Sequence, residues 1–257
     1  MAGWRPFPYP RPEYRYSSAA LISHWARLHA GDVEPLPNDA RVLAAWALCH
    51  AGDFEQATAA GLAAGGAGIT VANKAQAVHA SYLEPSEVAK RAMFDEVAAR
   101  AEAQIGAEPG NPNAHFWLAY ALGRSAQGIS IALALAQGLS ARVKAALEAA
   151  IALAPAHADA HAALGTYHAE VIDRLGGLLG RTQGASKEAG MKHFKEALRL
   201  NPHSPIAMIE YANGMLMLEG DKRLQDAEQL YAGAAACEPA DAMERLDVEL
   251  AKAELEN

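Results

Sequence analysis

Four prolines, each following an apolar helical stretch, punctuate the chain at Glu108-Pro109, Ala154-Pro155, Asn201-Pro202 and Glu238-Pro239, at separations of 46, 47 and 37 residues. Proline ends a helix because its ring blocks the preceding turn and it has no amide hydrogen to donate. After three of them the same helix start returns: Asn113-Ala-His115-Phe-Trp-Leu118-Ala119, Asp159-Ala-His161-Ala-Ala-Leu164-Gly165 and Ile206-Ala-Met208-Ile-Glu-Tyr211-Ala212. Ahead of the last three prolines runs a second helix with apolar residues three and four apart: Leu147, Ala150, Ile151; Phe194, Ala197, Leu198; Tyr231, Ala234, Ala235. A recurring helix pair cannot bury its apolar face alone, so neighbouring pairs must stack. Gly165 matches Ala119 and Ala212 in this alignment and is expected where two helices cross.

Composition agrees with an all-α chain. The apolar share is 51 % but only 7 % is aromatic, so the core is built from Ala and Leu, which lose little side-chain entropy in a helix. Eleven helices are expected, starting at Ser18, Asp39, Ala72, Ser86, Asn113, Ser140, Ala158, Ser186, Pro205, Arg223 and Ala240. Trp25-Ala-Arg-Leu-His29-Ala-Gly-Asp32 returns as Trp46-Ala-Leu-Cys-His50-Ala-Gly-Asp53, two helix ends stopped by left-handed glycines, Gly31 and Gly52. The glycine-rich run from Gly61 to Gly68 reads as a loop. The organisation expected is an extended arm over residues 1–17, helical hairpins over 18–70 and a repeat solenoid over 71–257 that is continuous with them.

With 22 basic against 30 acidic residues, a net charge of −8, the chain lacks the basic face that neutralises nucleic-acid phosphates. Cys49 and Cys237 form no CxxC or Cys/His cluster, and neither uncharged stretch, 56–73 or 125–141, is apolar throughout. The opening residues carry prolines and charges in place of an apolar leader core. No membrane span and a cytoplasmic location are therefore expected.

The small residue after Leu in each first helix, together with Gly52-Asp-Phe-Glu-Gln-Ala57 as an inter-helix turn, resembles the tetratricopeptide repeat. The period exceeds the 34 residues of that repeat through two extra segments, 127–138 and 174–186. Long repeats of this kind, with Ala121-Leu-Gly-Arg124 closing one first helix and His161-Ala-Ala-Leu-Gly165 opening the next, are similar to the regulator of microtubule dynamics family and its bacterial relatives. That resemblance implies an all-α, right-handed helical-repeat solenoid with a concave groove lined by first helices. Its groove positions here are Phe116, Tyr120 and Arg124, then Asp159, Thr166 and Glu170, then Ile209, Asn213 and Met217, with Val42, Trp46 and His50 extending them toward the N-terminus.

Enzyme chemistry finds no foothold. Gly180-Arg-Thr-Gln-Gly184-Ala-Ser-Lys187 has neither the order nor the preceding strand of a phosphate loop. His157, His161 and His168 share a helical face, yet His157 falls at a helix start and His161 occupies a packing position that Met208 fills in another repeat, so no metal and no cofactor are expected. Glu170 and Asp173 read as a solvated pair and no triad suggests itself. The chain is expected to be a non-enzymatic scaffold that binds a protein or peptide partner. The rival reading is a carrier for a small hydrophobic ligand, in a channel completed by Ile129, Ile131, Leu133, Leu135 and Leu139.

Residues 1–16 hold Trp4, Phe7, Tyr9, Tyr14 and Tyr16 among prolines at 6, 8, 10 and 12. Alternating prolines keep this arm extended, so it cannot bury its own rings and must dock elsewhere. Its charge is +2 (Arg5, Arg11 and Arg15 against Glu13) while the remainder carries −10, so attraction to its own helices near Trp25 and Trp46 is expected.

Overall fold

The computed structural model describes residues 3–127, 133 and 137–256. Among them are twelve α-helices: α1 (Ser18–Leu28), α2 (Ala40–Ala51), α3 (Phe54–Ala64), α4 (Gly68–Tyr82), α5 (Glu87–Ala107), α6 (Pro112–Gln127), α7 (Leu139–Leu153), α8 (Ala158–Thr182), α9 (Lys187–Leu200), α10 (Pro205–Glu219), α11 (Leu224–Ala235) and α12 (Ala242–Leu255). No strand occurs among the described residues. Polar caps set several starts: the side chains of Ser17, Asp39, Ser86, Ser186 and Ser204 each accept a backbone N–H of the first turn.

Two expectations fail in the N-terminal third. The run from Gly61 to Gly68 is a loop only over residues 65–67, because α3 fills Phe54–Ala64 and α4 begins at Gly68. Gly61 and Gly68 are where these helices touch, and a Cβ on Gly61 would lie 2.5 Å from the Gly68 carbonyl oxygen. Small residues that look like loop on paper are here the contact that lets two backbones meet. Gly52 is left-handed as expected (φ 88°), whereas Gly31 is not. Gly31 instead makes room for Asp159, whose carboxylate comes within 2.4 Å of where a Cβ would be, while the Asp159 amide donates to the Gly31 carbonyl at 3.0 Å.

The chain forms two compact units: Met1–His29, Glu34–Leu153 and Ala240–Met243 make the first, and Ala30–Val33, Ala154–Pro239 and Glu244–Asn257 the second. In the first, α2, α4 and α6 pack in succession, with α3, α5 and α7 as their partners. Every residue of α4 from Thr70 to Ala80 is buried, including Asn73, Lys74, Gln76 and His79. Several polar atoms of α4 are met from α5: Arg100 donates to Asn73 at 3.0 Å and Gln76 at 2.8 Å, and Gln104 to Thr70 at 2.9 Å. Such satisfaction is what makes a polar helix tolerable in an interior. In the second unit, α8 packs on α9 and α10, and α10 on α11. Phe194 of α9, fully buried, lies between two glycines: a Cβ on Gly165 of α8 would come within 2.7 Å of its ring, and one on Gly214 of α10 would collide with its other edge. Tyr211 stacks on it at 5.4 Å. The extra segment 174–186 continues α8 through a break at Gly176 (φ 74°).

The arm is docked within the first unit. Phe7 and Tyr14 are buried, 8 % and 3 % exposed. Phe7 meets Phe54 edge-on at 6.3 Å, and a Cβ on Gly52 would fall 2.6 Å from its ring. Gly52 is thus required twice, by its φ and by Phe7. Trp4 lies on His79 at 4.4 Å, and the Arg5 amide donates to His79 Nε2 at 2.9 Å. Arg15 pairs with Asp53 at 3.2 Å, Tyr16 donates to the Ala240 carbonyl at 2.7 Å, and its ring touches His24 and His50.

The Arg5 bond requires a bare Nε2, so the docked state needs neutral His79. Burial, opposed by the charge of Glu84, lowers the His79 pKa from its ordinary 6.5. The unfolded chain therefore binds this proton at higher pH than the folded one, and the stabilisation present above about pH 6.5 is lost as the pH falls below it. The wild-type chain is expected to lose more melting temperature between pH 7.5 and 5.5 than a His79→Gln variant does. Equal losses would place the acid sensitivity elsewhere.

Candidate partner-binding surface

Helical periodicity puts the groove positions on common faces, and packing then divides them. Trp46 and His50 of α2 are 0 % and 1 % exposed, and Val42 is buried with them. Trp46 meets Trp25 at 5.9 Å and His29 at 4.6 Å, and the Lys74 ammonium lies 5.5 Å from its ring. His50 Nδ1 bonds Asp241 at 2.7 Å. Phe116 of α6 is buried against Trp117, and Ile209 of α10 packs in a core with Tyr231 and Ala212. These five serve the interior and offer nothing to a partner.

Six others keep part of their surface in solvent, and Met217 is exposed. On α6 the Tyr120 hydroxyl shares a 2.7 Å hydrogen bond with Ser81 of α4, which fixes the ring. The Arg124 guanidinium lies over that ring, 5.1 Å from its centre. An Arg stacked on Tyr is held in place before any ligand arrives. In the second unit, Thr166 of α8 donates to Glu210 of α10 at 2.8 Å, and Asn213 accepts from the Tyr231 hydroxyl. Glu170 is half-buried, and Asp159 is committed to Gly31. Ser81 and Glu210 carry no signal in the sequence. They hold the surface residues from a neighbouring helix, a relation without any sequence spacing.

Four histidines of the second unit cap or pack within it. His157 caps α8, its Nδ1 accepting from the Ala160 amide at 3.1 Å. His161 turns to His193 of α9, with Nδ1 atoms 2.9 Å apart, while its Nε2 faces the Pro155 carbonyl at 3.2 Å. A carbonyl only accepts, so Nε2 carries the proton and His161 Nδ1 accepts from His193. His168 stacks on His193 at 6.0 Å. Sequence spacing groups His157, His161 and His168, whereas the fold groups His161, His193 and His168. Among the described residues no three His, Cys, Asp or Glu side chains are arranged to hold a metal, and no helix is long and apolar enough to cross a membrane. Of the apolar residues expected to complete a channel, Leu133 is exposed and Leu139, at the start of α7, buried, while Ile129, Ile131 and Leu135 lie outside the described residues.

Helix pairs whose first members pack successively are the layout of a tetratricopeptide-type repeat, and residues 70–252 match the family model described as regulator of microtubule dynamics protein 1-3. The chain belongs to that family. No curated protein matches it. Among solved structures it is similar to the crystal structure of a thermophilic TPR protein from Thermus thermophilus, with a TM-score of 0.59 at 16 % identity, covering 83 % of this chain and 97 % of the other. At that identity the likeness speaks for the fold. The fold is an all-α helical repeat of the tetratricopeptide kind, which commonly mediates protein–protein interaction. Members of this family and fold are generally non-catalytic.

Proposed function

We propose that this family member is a non-enzymatic scaffold that captures a polypeptide partner through partly or fully exposed side chains of its first helices. On the first unit these are Tyr120 and Arg124, and on the second Thr166, Glu170, Asn213 and Met217. The observation that carries the reading is the Arg124–Tyr120 stack, because Tyr and Arg concentrate binding energy at interfaces and this pair loses little freedom on binding. The microtubule function in the family's name is not transferred, since function resides in sites and not in folds.

The test is partner capture from the native host by Tyr120→Phe/Arg124→Ala. Phenylalanine keeps the ring packed, which alanine would not. Capture is expected to fall about tenfold, the effect of losing roughly 1.4 kcal/mol, with helicity unchanged and stability lowered by no more than the lost Ser81 hydrogen bond, about 1 kcal/mol. Undiminished capture would move the surface away from α6.

A further inference from the structure

We propose that the seat of the N-terminal arm is a recognition site for an extended, basic, proline-punctuated peptide carrying an aromatic-x-Pro-aromatic core, and that residues 4–16 are its resident self-ligand. This inference is independent of the α6 surface.

The seat has the parts of a peptide site. Gly52, with no Cβ, opens a slot that Phe7 fills against Phe54. Three residues earlier, Trp4 covers the His79 ring. Between them the Arg5 main-chain N–H donates to His79 Nε2, a bond that any residue except proline can supply at that position. Asp53 adds a charge contact to Arg15. Two ring slots with a backbone acceptor beside one of them read an extended strand by its aromatic spacing. Prolines at 6 and 8 hold Trp4 and Phe7 in the extended form before docking, so little entropy is lost on binding. The charge difference, +2 on the arm against −10 elsewhere, favours a basic ligand. The walls belong to the body of the unit: Phe54 opens α3 at 2 % exposure and His79 sits on the buried α4.

A tethered arm acts at an effective concentration in the millimolar range, so a free peptide at micromolar concentration does not displace it. Weakening the resident arm therefore opens the seat. The probe is a fluorescent synthetic peptide spanning residues 3–17, followed by anisotropy with the full chain at pH 7.5. The wild-type chain is expected to leave the signal unchanged, the Trp4→Ala/Phe7→Ala chain to bind at least about tenfold tighter than wild type, and a peptide with both aromatics replaced by alanine to bind neither. Asp53→Lys in the double variant should weaken capture several-fold. A double variant with native helicity that takes up no peptide overturns the proposal, as does equal uptake of the alanine peptide. If that variant loses its helical signal, Trp4→Ala alone, which removes a half-exposed ring, supports the same comparison, and the same two results overturn the proposal.

Discussion

Deleting residues 1–16 is expected to lower the melting temperature by about 10 °C and to make the chain bind ANS. The arm contributes two buried rings, Phe7 and Tyr14, and burying an aromatic side chain of this size stabilises by about 1.5–3 kcal/mol each. In a chain of this length each kcal/mol corresponds to roughly 2–4 °C. The hydrogen bonds from Arg5 to His79 and from Tyr16 to Ala240 add to that. Deletion also uncovers Phe54 and the slot beside Gly52, the apolar surface the dye would read. The arm is not extended throughout, since Pro12–Tyr14 form a 3-10 turn and Phe7 touches Tyr9 and Tyr14, but Phe54 and the Gly52 slot complete the enclosure of Phe7, so a free arm would contribute little. Differential scanning calorimetry with a parallel ANS titration decides the matter. Unchanged melting without dye uptake would mean that the arm is not part of the folded unit in solution.

The second large effect belongs to Gly165→Leu. In most helix crossings an added side chain can push its neighbour aside, at a cost of about 1–3 kcal/mol. Phe194 has nowhere to go. The first added carbon already lies 2.7 Å from the ring, Gly214 closes the opposite edge, and Tyr211 is stacked on the ring at 5.4 Å. The cost is therefore expected at the upper end of that range, lowering the melting temperature by about 5–10 °C at roughly 2–4 °C per kcal/mol. Thermal unfolding followed by circular dichroism measures it. Melting at the wild-type temperature would remove Gly165 from the α8–α9 contact and undermine the repeat alignment that singles it out.

That glycine shows what a sequence discloses about a fold like this. Gly165, Ala119 and Ala212 fall at one position of a repeat, and a repeat position is a structural position. The caps at Ser86, Ser186 and Ser204 are equally legible, because a capping side chain acts within three residues of itself. Helix α3 is not, since Ala and Gly in Phe54–Ala64 suit a helix and a flexible link alike, and only the approach of Gly61 to Gly68 settles which they are. The surface is the least legible part. Spacing places Trp46, Phe116, Tyr120 and Ile209 on inner faces without saying which of them a neighbouring helix will cover. Three of the four are covered, and Tyr120 alone keeps an accessible edge. The polar side chains inside α4 escape for the same reason: Arg100 of α5 meets Asn73 and Gln76, and Lys74 lies over Trp46 of α2, relations without any sequence spacing.

The most direct test of the scaffold reading is native mass spectrometry of the full chain purified gently from its own host, alongside Tyr120→Phe/Arg124→Ala. The account predicts a complex of the chain with a second polypeptide at fixed stoichiometry, diminished in the variant. A chain that flies alone, or carries only a small apolar molecule that persists in the variant, would contradict the account and favour the carrier.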